Sequence, residues 1–438
     1  MSTLVFWFAS EAAGALAGFF SALSLALYPR LFILIQSNIK DVPMLSWYIL
    51  TVWTGWRAVE LDDWRWLLVS AGALGVGMGS KSTAGFAFLI LLVYLLVRQI
   101  RLKKLPSRSL LLAFLVAPFL SYLFIYMSNP IYWPKTGSRP QPVEASSISP
   151  KTGSVSERVE LSLVQYLLGE LKRAASPRSQ HSRWGTASLP GWTSIRARFA
   201  FFATPMITNI LAFIGILVCL QKFYHNEYGY YLMLVIWFFV PLLRTAAPHT
   251  IVYGGIRLYV DYVPALCLLA GLGALQVTVW LKTSCQPLSR FAPYLVLAAF
   301  LPVTYKLIRL HPYESIYFNS LMGGNEGAME SMYPSTGDVN CTTYPQAVAW
   351  FNRHAESGAG IVTVNTHLLN GFGLRSDLRA VFRPEEVAAR DNVYYLMVPV
   401  SWNYEEEIPW KKENRILVKE IRPDDSPVLL IYKHRKRE

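Results

Sequence analysis

Several common devices are missing from this sequence, and each absence closes a class of function. It has only four cysteines. Cys219 and Cys267 fall inside hydrophobic runs, where cysteine usually serves as a small apolar filler. Cys285 and Cys341 have no nearby partner and no metal-ligand spacing, so neither a disulfide framework nor a zinc site is supported. Residues 309–438 contain no membrane-length apolar run, no Gly-rich nucleotide loop, no nucleophile elbow and no triad. The first hydrophobic stretch lacks a basic leader and a cleavage site, so it does not read as a removable signal peptide. A net charge of +13 could suggest nucleic acid, but no compact basic module with base-stacking aromatics accompanies it. The charge reads instead as a bias toward membrane surfaces.

What is abundant is apolar. Hydrophobic residues make up 53% of the chain, with 14 Trp, 24 Tyr and 23 Phe, a composition that places it in a membrane. Nine stretches read as spans: Leu4–Leu27, Met44–Trp56, Trp66–Ser80, Thr83–Val97, Ser109–Met127, Ala203–Leu220, Gly229–Leu243, Leu258–Leu281 and Phe291–Ile308. The second to fourth are short. The small-residue and lysine interruption at 77–82 could equally mark one long broken helix. The expected fold is a mainly α-helical polytopic membrane module over residues 1–308, followed by an extracytoplasmic α/β or α+β domain over 309–438.

Charge sets the expected orientation. Arg98, Arg101, Lys103, Lys104 and Arg108 crowd a short loop, which the positive-inside rule retains in the cytoplasm. Counting crossings from there puts the N-terminus and the Arg57–Arg65 loop inside. Asp41, Lys81, residues 128–202, residues 244–257 and the C-terminal domain fall outside. The 128–202 loop is itself basic, with ten Lys/Arg against four Asp/Glu, but long loops largely escape the rule. Within it, 157–174 carries a leucine stripe, and Trp192 to Phe201 interleaves aromatics with Arg196 and Arg198. Both suggest interfacial helices, which would lie on the membrane surface or roof a cavity.

In the C-terminal region a helix is expected at Tyr344–His354, with strands at Ile361–Val364, Val393–Val398, Ile416–Ile421 and Val428–Tyr432.

Three charges then stand out. Asp41, Lys81 and Arg257 each close or open a membrane-length segment, all on one face in this orientation. An acid with two strong cations suits chemistry on a phosphate-linked lipid, the cations holding phosphate oxygens and the acid handling a proton.

Several stretches then resemble one known class. Tyr28-Pro29-Arg30 and Ser37–Pro43 ahead of a helix are similar to the region after the third helix of lipid-linked-sugar glycosyltransferases of the GT-C fold. The nearest group is the dolichyl-phosphate-mannose–protein mannosyltransferase-like family, which includes the bacterial aminoarabinose transferases. Gly72–Ser80 with Lys81 resembles its next landmark. Ala203-Thr204-Pro205, Tyr253–Arg257 and His311–Gly324 follow in the expected order. The resemblance covers roughly residues 10–355.

It implies a transferase that moves a hexosyl, mannosyl or pentosyl unit from a polyprenyl-phosphate donor to a lipid, glycan or protein acceptor outside the cytoplasmic membrane. Asp41 would be catalytic, Lys81 and Arg257 would bind the lipid phosphate, and Tyr253, His249 and His311 would line the substrate. The family has metal-independent and metal-assisted members, so no cofactor is fixed and a divalent metal is only admitted. Nucleic acid is not an expected partner.

Two departures accompany the resemblance. Family members carry two further helices and an acidic external loop ahead of the third helix, which implies an N-terminally truncated sequence. Gly254 stands where relatives often have Asp.

Each residue also has a structural alternative. Asp41 could merely cap a helix; Lys81 could snorkel; Arg257 could pair with Asp261 one helical turn on. His249 and His311 could be ordinary interfacial histidines. Tyr253, Tyr313 and Tyr317 could belong to an aromatic belt, and Glu405–Glu407 to a solvated loop. A non-catalytic binding subunit derived from the same fold, or a multi-pass transport protein, stays open beside the enzyme, although transport finds no internal repeat and few intramembrane charges.

Overall fold

The computed structural model describes residues 1–102, 106–128, 192–248, 250, 255–284, 286–331, 333, 336–338, 340–363, 365–382, 386, 393–397, 415–423 and 426–434. The leucine stripe at 157–174, the acidic run at 405–407 and Cys285 lie outside them. The chain is a mainly helical multi-pass membrane protein with a small C-terminal sheet. It divides into two compact units, residues 1–42 with 181–438, and residues 43–180.

The first expected span is two helices, not one. Helix α1 (Ser2–Ala13) and helix α2 (Ala15–Ala26) break at Gly14, whose φ of 94° lies in the left-handed region open to glycine. Helix α3 (Pro29–Ser37) starts with proline at its first position, where no helical N–H is lost, and it bends 64° from α2. Helix α4 (Asp41–Leu61) begins in this unit and continues into the other.

The second unit holds most of α4, then α5 (Trp64–Ser80), α6 (Phe86–Leu102) and α7 (Arg108–Ser128). The Asp63 carboxylate accepts from the Arg65 N–H at 2.9 Å and caps α5. Gly75 lets α5 lie against α7: a Cβ there would sit 2.4 Å from the Ser121 carbonyl oxygen. On α4 and α6, Glu60 pairs with Arg98 at 3.0 Å and accepts from the Tyr94 hydroxyl. The interruption at 77–82 is a true break. Lys81 is extended, with a short 3-10 turn at Ser82–Gly85 before α6.

The first unit resumes with α8 (Ile195–Phe202), α9 (Met206–Tyr224), α10 (Gly229–Ala246) and α11 (Val263–Ser284), then α12 (Ala292–Ala298) and α13 (Leu301–Leu310). Helix α11 is the central one, buried along most of its length among α9, α10 and α2. Its approach to α9 depends on Gly273, where an added Cβ would fall 1.8 Å from the Leu211 carbonyl oxygen. Helix α8, expected at the membrane surface, is buried at Arg196, Phe199 and Ala200, while Trp192 before it is exposed.

Among the described residues, six helical stretches are long and apolar enough to cross a membrane, or seven if α2 with α3 counts as one bent span. Of the nine expected, α4 carries Asp41, Arg57 and Glu60, and α5 is only 17 residues long.

The C-terminal part has α14 (Gly324–Glu330), α15 (Tyr344–His354) and α16 (Thr366–Gly371) with strands β1 (Gly360–Val362), β2 (Arg379–Val381), β3 (Val393–Met397), β4 (Arg415–Ile421) and β5 (Leu429–His434). The strand order is β2-β1-β3-β5-β4, with β1 parallel to β2 and β3, and β5 antiparallel to β3 and β4. Tyr344, Ala347, Val348 and Phe351 give α15 one apolar stripe, which packs with Ile361, Tyr394 and Ile431 in the core. Tyr313 and Tyr317 belong to that same buried cluster, which removes them from an aromatic belt.

Candidate functional site

The loop Ser37–Asp41 builds the first part of the site. Asn38, not Asp41, does the capping: its Oδ1 accepts from the Lys40 and Asp41 N–H groups at 3.0 and 2.9 Å. Asp41 is thereby the first helical residue, with its carboxylate at the positive end of the α4 dipole. Its Oδ2 accepts from Asn38 Nδ2 at 2.6 Å and from Arg257 Nε at 3.2 Å. The two partners differ in environment. The Asp41 side chain is 3% exposed and that of Arg257 is 40% exposed. A carboxylate held on its buried side thus presents a guanidinium that still reaches outward.

Arg257 arrives on a 3-10 turn, Gly255–Leu258, which opens at Gly255 with a φ of 64°. The i,i+4 pairing with Asp261 is not what the structure forms there. Asp261 is ion-paired with Arg244 at 3.3 Å, and its backbone oxygen accepts from Trp237 Nε1 at 2.8 Å.

A second arginine lies beside this pair. Arg30 is buried, donates from Nε to the Tyr317 carbonyl oxygen at 3.0 Å, and sits 4.8 and 4.5 Å from the ring centres of Phe199 and Phe318. It borders a small open pocket with Leu34, Gly255, Arg257, Ser315 and Asn340. The motif residues around the pocket are bonded to one another. Tyr28 meets Thr204 at 3.0 Å and Tyr262 at 2.8 Å through its hydroxyl, and Asn319 donates to the Phe201 and Thr204 carbonyls at 2.9 and 3.0 Å. These landmarks, widely separated in the chain, hold α3, α8, α11 and the segment after α13 in register.

Of the sequence candidates, Asp41 and Arg257 come together. Lys81 belongs to the other unit, at the break after α5, where its N–H donates to the Gly77 carbonyl at 3.0 Å. His311 is half-exposed and bonded to Glu314. Tyr253 and His249 lie outside the described residues. Sequence reasoning missed three residues. Arg30 enters the sequence reading only as a motif member, although a charge next to an apolar run is its signal. Asn38 announces its capping role by the Asn-x-x-Asp spacing. Nothing in the sequence marks Glu314 as buried. Among the described residues, no group of three or more His, Cys, Asp or Glu could hold a metal ion.

Residues 1–124 match the family described as dolichyl-phosphate-mannose-protein mannosyltransferase. The matched stretch contains Arg30, Asn38, Asp41 and Lys81, so the resemblance read from those motifs is reproduced over the N-terminal part of the chain. No curated protein matches significantly. Among solved structures, the chain is similar to the oligosaccharyltransferase of Archaeoglobus fulgidus in the apo form. Identity is 13% over 91% of this chain and 57% of that one, with a TM-score of 0.48. It thus spans little more than half the length of that protein. It is also similar to ArnT from Cupriavidus metallidurans bound to undecaprenyl phosphate, at 15% identity over 98% and 81% of the two chains, with a TM-score of 0.45. With TM-scores below 0.5, these likenesses carry no part of the functional reading.

Proposed function

We propose that this chain is a membrane glycosyltransferase that moves a sugar from a polyprenyl-phosphate donor to an extracytoplasmic acceptor. The observation that carries the reading is the Asp41–Arg257 pair, formed by two separate family-like motifs of which the first lies inside the matched region. Transfer from such a donor expels a lipid phosphate, whose growing charge needs a fixed cation in a site of low dielectric. Arg257 suits that part, since its guanidinium is partly exposed while its orientation is set by a buried acid. Bidentate recognition of phosphate oxygens is what a guanidinium does best.

Asp41, expected from the sequence to handle the acceptor's proton, enters this reading as the residue that orients Arg257. Its carboxylate is held by Asn38 and Arg257 and has little access to an acceptor. Lys81 is assigned to the donor phosphate on sequence orientation alone. The same positive-inside argument places the N-terminus in the cytoplasm and the C-terminal domain outside, in a cytoplasmic membrane.

The test uses the purified chain in liposomes with a radiolabelled polyprenyl-phosphate sugar, following release of polyprenyl phosphate. Loss of one charge-assisted phosphate contact is typically worth about 1.5–3 kcal/mol, or roughly one to two decades in rate. Arg257→Gln and Lys81→Gln should each lower turnover by that much while remaining inserted. Donor binding without any turnover would favour the binding-subunit alternative, and unchanged donor kinetics in both variants would remove the phosphate assignment.

A further inference from the structure

The second unit contains a cavity that the glycosyltransferase reading does not use. It lies where α4 and α6 end and α7 begins, lined by Glu60 and Asp62 at the end of α4, Leu95, Arg98 and Gln99 of α6, and Leu110 of α7. Because α6 and α7 are each long and apolar enough to cross a membrane, a cavity at their joined ends lies at headgroup depth. Trp64, exposed two residues beyond Asp62, suits the same depth.

Gln99 is the unexplained group. Its Nε2 and Oε1 are both buried, and neither has a hydrogen-bond partner among the described residues. An unpaired buried amide is costly, and an apolar side chain would serve as well there if packing were its only task. The charges around it form two halves. Arg98 donates to Glu60 Oε1 through Nε alone, at 3.0 Å, so the outer edge of its guanidinium is left for another acceptor. The Tyr94 hydroxyl donates to the same Glu60 oxygen, and Asp62 Oδ1 accepts from the Ser107 N–H at 3.0 Å. Two carboxylates against one guanidinium leave the lining net negative, and α4 and α6 both end here with the negative poles of their dipoles. A ligand carrying only negative charge is disfavoured. One that carries a cation beside a phosphate matches both halves, since Arg98 and the first turn of α7 supply the positive side. Leu96 and Leu92, three and seven residues before Gln99 on the same face of α6, are exposed. They continue the polar cavity as an apolar strip along the span, which an acyl chain would cover and a free headgroup would leave bare.

We propose that this cavity binds the headgroup of a phosphatidylethanolamine-type lipid. Its primary ammonium meets Glu60, Asp62 and Gln99 Oε1, and its phosphate meets the Arg98 guanidinium and Gln99 Nε2. The N–H groups of that ammonium are the discriminating feature, because a trimethylated headgroup carries the same charge but cannot donate. None of these residues belongs to the Asp41–Arg257 site, and the binding is independent of the glycosyltransferase reading.

The experiment uses the full chain, purified in detergent and titrated with lipids of identical acyl chains, with bound lipid counted by native mass spectrometry. Phosphatidylethanolamine should bind at least about tenfold more tightly than phosphatidylcholine or phosphatidylglycerol, the usual worth of one charge-assisted hydrogen bond. Gln99→Leu should abolish that preference and leave thermal stability in lipid-free detergent unchanged or raised, because no partner loses a bond. Asp62→Asn, at an exposed position, should weaken phosphatidylethanolamine without weakening phosphatidylglycerol, since only the ammonium loses its counter-charge. Equal binding of the three lipids, or a preference for phosphatidylglycerol, would overturn the proposal, as would wild-type selectivity in Gln99→Leu. Soluble phosphoethanolamine that displaced the lipid at equal concentration would show that the acyl chains add nothing, and would overturn the assignment to a lipid.

Discussion

The Asp41–Arg257 pair allows a test in which burial alone decides the outcome. Its acid is 3% exposed and its base 40% exposed, so removing one partner or the other leaves very different remnants. In Asp41→Asn the shape is kept and the amide oxygen still accepts, so the loss is the gap between charge-assisted and neutral hydrogen bonds, about 1–1.5 kcal/mol. The remaining Arg257 can turn to water. Arg257→Met keeps most of the volume but strands a buried carboxylate, a change that costs about 3–5 kcal/mol for a fully buried pair. Asn38 still donates to Asp41, and the exposed guanidinium was partly hydrated already, which brings the expectation down to about 2–3 kcal/mol. The double variant should then be less damaged than the sum of the singles, with an interaction energy of about 1–2 kcal/mol, as residues in direct contact show. Reversible unfolding in mixed micelles, followed by tryptophan fluorescence, measures all four proteins. If Asp41→Asn proved as damaging as Arg257→Met, or if the two effects simply added, the pair as described would be refuted.

Gly273→Ala should disrupt the contact between α9 and α11, because the new methyl would meet backbone at Leu211 and not a side chain that can turn away. Overpacking typically costs about 1–3 kcal/mol, and a lowered unfolding midpoint in micelles would reveal it; wild-type stability would contradict the packing. Glu356 should make the C-terminal sheet region acid-sensitive. Partial burial pushes its carboxyl up, but Lys433 and the Tyr394 hydroxyl, which donates at 2.7 Å, together bring it down to about 2 from an ordinary 4.5. A depressed folded-state value means stability present above about pH 4.5 and lost as pH falls toward 2. Protease resistance of the C-terminal sheet region in the full chain, measured across that range, should fall more steeply in the wild type than in Glu356→Gln. Parallel curves would count against the contact.

Much of the architecture was legible because it depends on local pattern. Long apolar runs marked α6, α7 and α9 to α11, and short apolar runs marked β1, β3, β4 and β5. The strand β2 was missed because it offers no apolar run: Arg379 is exposed and only Val381 is buried, whereas the equally short β1 is buried throughout. The first apolar run was legible as hydrophobic but not as two helices, since hydropathy is blind to the positive φ at Gly14. At the site, the sequence singled out Asp41 and Arg257 because charges beside apolar runs are costly and therefore informative.

Spacing could not choose the partners. By sequence, Arg257 has an acid one helical turn away at Asp261, yet it pairs with Asp41, 216 residues earlier. Asp261 pairs with Arg244 instead. Likewise, Asp41 had the composition of a helix cap, but Asn38 took the orphan N–H groups and freed the carboxylate for an ion pair. Tyr313 and Tyr317 looked interfacial, and Glu314 carried no signal of burial; all three are buried. The sequence by itself determined which segments are apolar, which turns break them, and which few charges the fold must accommodate. Only tertiary packing decided which of those charges meet and how deeply each is buried, because the choice among acids is set by desolvation and by the faces that helices turn to one another.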